Sequence, residues 1–168
     1  MKSRTYCALW GLIFFLYIAL GLILFHAVEG WAASEPEPHL PMAAGVHDTV
    51  SVTLKEWHLI PEKASISHAG KVAFRVKNIG TVAHEMVILK TDLPAAALPV
   101  AAGKVKEEAA GRVLGEIEEF PPNMTEEIII DLPAGHYVLF CNVLEPGQTE
   151  GHYQKGMWAA FTVGSPSK

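Results

Sequence analysis

The chain has 168 residues, of which 50% are hydrophobic, and its 18 acidic and 13 basic residues give a formal net charge of −5. This length suits one domain with an appendage. Nucleic-acid binding needs a clustered basic surface, whereas the basic residues here are scattered singly along the chain. We therefore expect no nucleic-acid partner.

The first 31 residues are predicted to form an N-terminal signal anchor with one transmembrane helix. The segment from Cys7 to Phe25 contains no charged residue, and an apolar helix of this kind can cross a hydrocarbon core of about 30 Å. Lys2 and Arg4 precede it, which places the N-terminus in the cytoplasm and the remaining chain on the periplasmic, extracytoplasmic side. We favour an uncleaved membrane anchor, although small residues at positions 32–34 leave open a cleavage that would give a soluble periplasmic protein.

Residues 32–45 are predicted to be a linker, because they are rich in Pro, Glu and Ala and show no apolar period. From residue 46 to residue 163 the hydrophobic period is two, which is typical of strands with one buried face. In "KVAFRVK", for example, Val72, Phe74 and Val76 alternate with other residues, mostly charged. Similar short runs, separated by turn signals, predict an all-β sandwich followed by a tail at residues 164–168.

One segment of this domain departs from the strand pattern. Residues Asp92 to Arg112 are rich in alanine and are interrupted by Pro94, Pro99 and Gly103. Alanine favours helix, and proline and glycine interrupt it. We predict a short helix around Lys104 to Ala110, inserted between strands.

Cys141 is the only cysteine outside the apolar N-terminal segment, so the exported part of the chain cannot form an internal disulfide. A free cysteine is often a small core residue, but a lone thiol in an oxidising compartment calls for another explanation. Cys141 ends the predicted strand "HYVLFC", and the loop after it carries His152 and leads to Met157. Because this loop connects neighbouring strands, its ends lie close together, and thiolate, imidazole and thioether can converge.

Soft sulfur donors combined with imidazole favour copper, and one cysteine with two histidines in a plane and a weak axial methionine is the blue-copper arrangement. Zinc is less suited, because thioether is a poor ligand for it. A copper site therefore requires a second histidine from elsewhere in the chain. His84 is the candidate, since it follows a turn and stands at the start of the predicted strand "EMVILK".

The ordered pattern of "KVAFRVKNIGTVAHEMVIL", "LPAGHYVLFCN" and "GHYQKGMWAAFTV" resembles the cupredoxins, the plastocyanin- and sulfocyanin-like small blue-copper proteins, over nearly all of residues 46–163. The resemblance implies a Greek-key β-sandwich and one type 1 copper ion. It implies that the metal ligands are His84, Cys141, His152 and Met157. It also suggests Asn142 as a neighbour that tunes the sulfur, and the loop position of His152 suggests that this residue is the route for electrons.

The loop between Cys141 and His152 departs from the family pattern. Ten residues separate the two ligands, whereas small electron carriers of this family usually have a shorter spacer. The additional residues include Glu145 and Glu150. Because this loop normally borders the metal site, its length leaves the shape and charge of the docking surface open.

These residues predict a mononuclear blue-copper electron-transfer protein that is not an enzyme. It is expected to be a membrane-anchored monomer that works between a redox protein donor and a redox protein acceptor. The alternative is a copper-binding protein for delivery or storage in the cell envelope, which would favour exposed methionine and histidine clusters. A copper oxidase or nitrite reductase would need further ligands, commonly in His-x-His pairs, and the sequence contains none. A metal-free sandwich used for binding is the remaining possibility.

Overall fold

The structure, a computed structural model, describes residues 45–164. The predicted membrane anchor at residues 1–31, the predicted linker up to its last residue and the predicted tail after Gly164 lie outside the described residues. Among residues 45–164, no helix has the length and apolar character that a transmembrane span requires.

Eleven strands and one short helix make up the described part of the chain. In chain order they are β1 (Asp48–Lys55), β2 (His58–Pro61), β3 (Ser65–Ile66), β4 (Gly70–Asn78), β5 (His84–Lys90), β6 (Val100–Ala101), β7 (Lys104–Val105), α1 (Glu107–Ala110), β8 (Arg112–Phe120), β9 (Thr125–Leu132), β10 (Gly135–Phe140) and β11 (Trp158–Val163).

Most of these strands belong to two sheets. One sheet has the strand order β2-β1-β4-β9, and the other has the order β3-β11-β10-β5-β8. The parallel pair β1–β4 aligns Val50 with Phe74, and the antiparallel pair β10–β11 aligns Tyr137 with Phe161. These side chains belong to one core shared by the two sheets. The prediction of an all-β sandwich is therefore confirmed.

The main core lies between the two sheets. Val72, Phe74 and Val76 enter it from β4, as their alternation predicted, while Lys77 is exposed. The rings of Phe74 and Phe161 meet across the sheets with their centroids 5.7 Å apart. Full burial of an apolar side chain stabilises a fold by about 1.5–3 kcal/mol. The stretch "KVAFRVK" thus forms a strand because one of its faces is needed in this core.

A second, smaller core covers the outer face of β5 and β10. Met86 and Ile88 of β5 enter the main core, while Val87 and Leu89 enter the second core. The segment between β5 and β8, residues 91–111 (the insert), supplies the cover through Leu98, Val105 and Ala110. Because β5 is buried on both faces, its sequence is a continuous apolar run rather than an alternating one.

The predicted helix in the insert is correct only in its second half. α1 covers Glu107–Ala110, whereas Lys104 and Val105 form β7 and pair with β6. Ala102 and Gly103, which connect these two strands, have φ values of 50° and 80°. Positive φ at both positions is what a two-residue type I′ hairpin loop requires. The insert is therefore a small hairpin followed by a single helical turn.

Candidate metal centre

His84 is the first residue of β5, and a turn organised by Asn78 sets its position. Asn78 Oδ1 accepts a hydrogen bond from Gly80 N (2.9 Å), and Asn78 Nδ2 donates to Val82 O (2.9 Å) and Phe120 O (3.2 Å). Asn78 is fully buried, so these bonds satisfy an amide that would otherwise be costly to bury. The turn held by Asn78 thus determines where β5 begins.

Glu56 fastens the same turn from the loop between β1 and β2. Its Oε1 accepts hydrogen bonds from Thr81 N (2.6 Å) and Val82 N (2.9 Å) and lies 3.5 Å from His84 Nε2. A Cβ atom on residue 80 would lie 2.5 Å from this oxygen, so a larger residue there would displace the Glu56 carboxylate. Burial alone would raise the pKa of Glu56, but its backbone hydrogen bonds outweigh burial and lower the pKa to about 2. Glu56 is therefore a carboxylate that faces the outer nitrogen of His84.

Cys141 follows β10 directly and lies in the main core. Its Sγ accepts a hydrogen bond from Glu85 N (3.4 Å), and its amide donates to Met157 O (3.0 Å). Burial raises the pKa of the Cys141 thiol to about 12. The thiolate form therefore needs a cation beside it, and binding of a metal ion releases the thiol proton.

The loop after Cys141 folds back onto its own beginning. His152 N donates to Val143 O (2.8 Å), and Met157 N donates to His152 O (3.1 Å). These bonds place His152 and Met157 beside Cys141, although ten residues separate Cys141 from His152. The expectation that the two ends of this loop lie close together is met by its backbone.

Three donor atoms meet inside the sandwich. His84 Nδ1 lies 3.2 Å from His152 Nδ1, and Cys141 Sγ lies 3.3 Å from the same His152 nitrogen. All three ligand atoms lie within 4.8 Å of one another, and each of the three residues has 0% exposure. Two nitrogens bound to one ion at about 2.0 Å each can be at most about 4 Å apart. The spacing of these donors therefore fits a single metal ion.

Met157 is the fourth residue of the predicted set, and it is buried in the same core as Cys141. Its amide donates to His152 O, and its carbonyl accepts from Cys141 N. The backbone of Met157 is thereby tied to both of the loop residues that contribute donor atoms.

Burial favours the neutral form of both imidazoles. Burial lowers the pKa of His84 despite the opposing charge of Glu56, and burial with the neighbouring His84 and Lys155 charges lowers the pKa of His152 to about 4. Each Nε2 faces a carboxylate oxygen, Glu56 at 3.5 Å and Glu145 at 3.6 Å, and has no other partner among the described residues. A ring with its proton on Nε2 presents its Nδ1 lone pair to a metal ion.

No protein-family model matches the chain, and no curated protein matches it. Solved structures similar to the chain include a reduced auracyanin from the photosynthetic bacterium Roseiflexus castenholzii (22% identity, 71% of this chain, 98% of that chain, TM-score 0.49). They also include auracyanin B (21% identity, 71% of this chain, 94% of that chain, TM-score 0.48). A third is auracyanin A, described as a "blue" copper protein from the green thermophilic photosynthetic bacterium Chloroflexus aurantiacus (23% identity, 68% of this chain, 97% of that chain, TM-score 0.45).

These identities and TM-scores are too low to assign the chain to a family, so its own features have to be considered. The deciding observation is a buried donor set of one cysteine and two histidines, with Met157 tied to it, in a sandwich of two sheets. The chain is cupredoxin-like. A donor set of this kind indicates one type 1 copper ion.

In this cupredoxin-like chain, Asn142 binds the insert rather than the sulfur. Its Oδ1 accepts from Val105 N (2.6 Å), and its Nδ2 donates to Val105 O (3.2 Å) and Glu107 Oε1 (2.9 Å). The backbone amide of Glu85, by contrast, donates a hydrogen bond to Cys141 Sγ. The resemblance suggested Asn142 as a neighbour that tunes the sulfur; its side chain bonds to Val105 and Glu107, so any effect on the sulfur is indirect.

Sequence reasoning missed Glu56 and Trp57, which form the two-residue loop between β1 and β2. Such loops usually consist of asparagine, aspartate or glycine. A glutamate followed by a tryptophan at this place breaks the local rule, and broken local rules mark functional positions. That departure was the signal available in the sequence.

Tyr153→Phe is expected to loosen the insert without removing a metal donor. Tyr153 Oη accepts from Leu98 N (2.8 Å) and donates to Ala95 O (2.8 Å), so phenylalanine leaves a buried backbone amide without its partner. We expect a loss of about 1–3 kcal/mol in the free energy of unfolding, measured by urea denaturation. An unchanged free energy of unfolding would show that Tyr153 does not fasten the insert.

Proposed function

We propose that the protein is a mononuclear blue-copper electron carrier. The observation that carries this proposal is the meeting of one thiol sulfur and two imidazole nitrogens in a fully buried space. This donor set suits copper, which supplies a one-electron couple between Cu(I) and Cu(II) when it is bound. The chain itself has to hold the donors in place and keep water away from them.

His84, Cys141 and His152 would hold the ion as strong ligands, and Met157 would supply a weaker sulfur donor. His84 begins β5, Cys141 follows β10, and Met157 immediately precedes β11. Because these strands are neighbours in one sheet, three of the four donors stand on a rigid support, and His152 is held by the hydrogen bonds of the loop. Rigid support limits the rearrangement that accompanies a change of oxidation state, which is what an electron carrier requires.

Neighbouring groups adjust the properties of the donors. The hydrogen bond from Glu85 N to Cys141 Sγ stabilises negative charge on the sulfur and so tunes the reduction potential. Glu56 and Glu145 face the outer nitrogens of the two imidazoles and favour the tautomer that exposes Nδ1. These three contacts belong to the chain and are present without any ligand.

A copper delivery or storage protein is the alternative. Such a protein has to pass its ion to another protein, which requires donors that a partner can reach. His84, Cys141 and His152 are all fully buried. Their burial favours an ion that stays in place while electrons move, and we therefore infer a carrier rather than a delivery protein or an enzyme.

We propose that residues 1–31 anchor the protein in the cytoplasmic membrane, with the copper domain, a Greek-key sandwich acting as a monomer, on the periplasmic side. Lys2 and Arg4 before the apolar segment support this orientation. The redox donor and acceptor would then be proteins of the same compartment.

Addition of Cu(II) to the metal-free protein tests the proposed function. A blue-copper carrier develops an intense absorption towards the red end of the visible spectrum, which bleaches on reduction and returns on oxidation. A protein that binds Cu(I) tightly but stays colourless with Cu(II) would support the delivery alternative. A protein that binds neither ion would exclude both functions.

Deletion of residues 1–33 is expected to release a soluble domain that still binds copper. All residues of the donor set and both cores lie within residues 45–164. Size-exclusion chromatography and the visible spectrum of the truncated protein would measure this. Aggregation of the truncated protein would show that the N-terminal segment is part of the fold.

Met157→Leu is expected to keep the copper and the colour but to raise the reduction potential. Leucine retains the apolar volume, while the loss of a weak sulfur donor removes a ligand that stabilises Cu(II). Voltammetry of the wild type and the variant measures the shift. A colourless product would show that Met157 is more than a weak axial ligand.

A further inference from the structure

The surface route to the metal site does not run directly through His152. The sequence suggested this loop histidine as the route for electrons, but His152 has 0% exposure, as does His84. Neither imidazole therefore reaches the solvent, and another side chain must lie between the donors and a partner protein. A route through His152, as its loop position suggested, therefore has to continue through a side chain that covers its ring.

Trp57 covers the outer side of both imidazoles. Its ring centroid lies 4.8 Å from that of His152 and 6.5 Å from that of His84. Trp57 is only partly buried, so one part of the indole packs on the core and another part faces the solvent. The Trp57 indole therefore provides a short, continuous connection from the two imidazoles to the protein surface.

Lys155 and two carboxylates frame this indole. Lys155 Nζ lies 4.0 Å from the Trp57 ring centroid, a cation–π contact that holds the ring in place. Glu56 and Glu145 lie beside the outer nitrogens of the two imidazoles, at 3.5 Å and 3.6 Å. With one lysine and two carboxylates, these three frame residues carry a net negative charge.

An acidic surface continues from the metal end along β8 and β9. His84 pairs with Phe120 at the end of β8, so the carboxylates before Phe120 lie close to the site. A surface depression of about 350 Å³ is lined by three apolar residues and by five carboxylates, the acidic strip, which consists of Glu116, Glu118, Glu119, Glu126 and Glu127. A partner with a basic face would be steered to this side of the molecule.

We propose that the Trp57 indole is the contact through which the metal site exchanges electrons with its redox partner, and that this partner presents a positively charged face. This inference rests on the proposed function as an electron carrier. One electron passes from the reduced partner, which is oxidised, to Cu(II), which becomes Cu(I), and no atom or proton moves. Tryptophan is also the residue type most enriched at the energetic centre of protein interfaces.

Electron self-exchange between the Cu(I) and Cu(II) forms of the full-length protein tests the role of Trp57, because its driving force is zero whatever the potential. The variants are Trp57→Leu and Trp57→Phe, with Ile129→Ala as a control that removes another exposed apolar side chain on β9. We expect Trp57→Leu to slow the exchange by about tenfold or more, an effect equivalent to roughly 1.4 kcal/mol of activation free energy. Trp57→Phe, which keeps an aromatic ring, should retain more of the rate, and Ile129→Ala all of it.

Two further measurements separate this role from simple packing. The visible spectrum and the potential of Trp57→Leu should stay close to those of the wild type, because no donor is removed. Copper uptake by metal-free Trp57→Leu should be faster than uptake by the wild type, since the cover over both imidazoles is smaller. A self-exchange rate in Trp57→Leu equal to that of the wild type, with the coloured site intact, would overturn the inference alone. A wild type that forms no coloured site would overturn the proposed function and the inference together.

Salt dependence tests the charge of the partner face. Oxidation of the reduced protein by the cationic tris-phenanthroline complex of cobalt(III) should slow as salt is added, while oxidation by anionic hexacyanoferrate(III) should accelerate. The difference should shrink when Glu118 and Glu119 are replaced by glutamine. The same salt dependence for both oxidants would contradict an acidic contact surface.

Discussion

His84→Ala and His152→Ala are each expected to abolish the intense visible absorption of the copper-loaded protein. Each substitution removes one of the two imidazole nitrogens that lie within 4.8 Å of Cys141 Sγ and leaves a space that water can enter. The set of one sulfur and two nitrogens that would hold the ion is then incomplete. Titration with Cu(II), followed by the absorption spectrum, measures the loss, which we expect to be complete.

His136→Ala is the matched control for both variants. His136 is an exposed histidine on β10, the strand that leads to Cys141, and it lies outside the donor cluster. The control should therefore show the spectrum of the wild type. Full absorption in His84→Ala or in His152→Ala would remove that histidine from the assigned ligand set.

Copper is expected to raise the thermal unfolding midpoint of the protein. The donors come from three places that are distant in sequence, residues 84, 141 and 152, so only the folded chain assembles them. A ligand that binds the folded state alone stabilises it by about 4.1 kcal/mol when its free concentration is a thousand times Kd. For a domain of this size the midpoint should rise by roughly 10 °C or more. Calorimetry with Cu(I) under oxygen-free conditions, at a free concentration set by a chelator, measures the rise.

Cys141→Ala separates this effect from copper bound elsewhere on the chain. The variant lacks the sulfur donor but keeps the buried, apolar character of the position. Its midpoint should be nearly independent of copper. If copper stabilised the variant as much as the wild type, the stabilising ion would lie outside the assigned site.

Features of the fold that depend on neighbouring residues could be predicted from the sequence. Val72, Phe74 and Val76 occupy alternate positions because one face of β4 packs in the main core. This alternation can be recognised within a few consecutive residues of the strand. The candidate ligands were also visible, because a lone cysteine outside the apolar N-terminal segment, with a histidine and a methionine close behind it, suggests few chemistries. The structure then brings His84 to within 3.2 Å of His152, across 68 positions of sequence.

Features that depend on distant parts of the chain could not be predicted. The sequence "MVIL" of β5 does not show that the insert covers its second face, because the covering residues, such as Val105, lie beyond the strand. Lys104 and Val105 have no strand signal of their own and pair only because the Ala102–Gly103 turn adopts positive φ. Trp57 lies in the β1–β2 hairpin. Its distance to His152 depends on how the two sheets pack, and no short sequence pattern indicates that distance.

X-ray absorption at the copper edge of the loaded protein tests the central claim most directly, because it identifies the atoms bound to the ion. We predict one short bond to sulfur and two bonds to imidazole nitrogen, with the short sulfur bond lost in Cys141→Ser. A coordination sphere without a short sulfur bond, or with more than two imidazoles, would contradict the assignment of His84, Cys141 and His152 to a single copper ion.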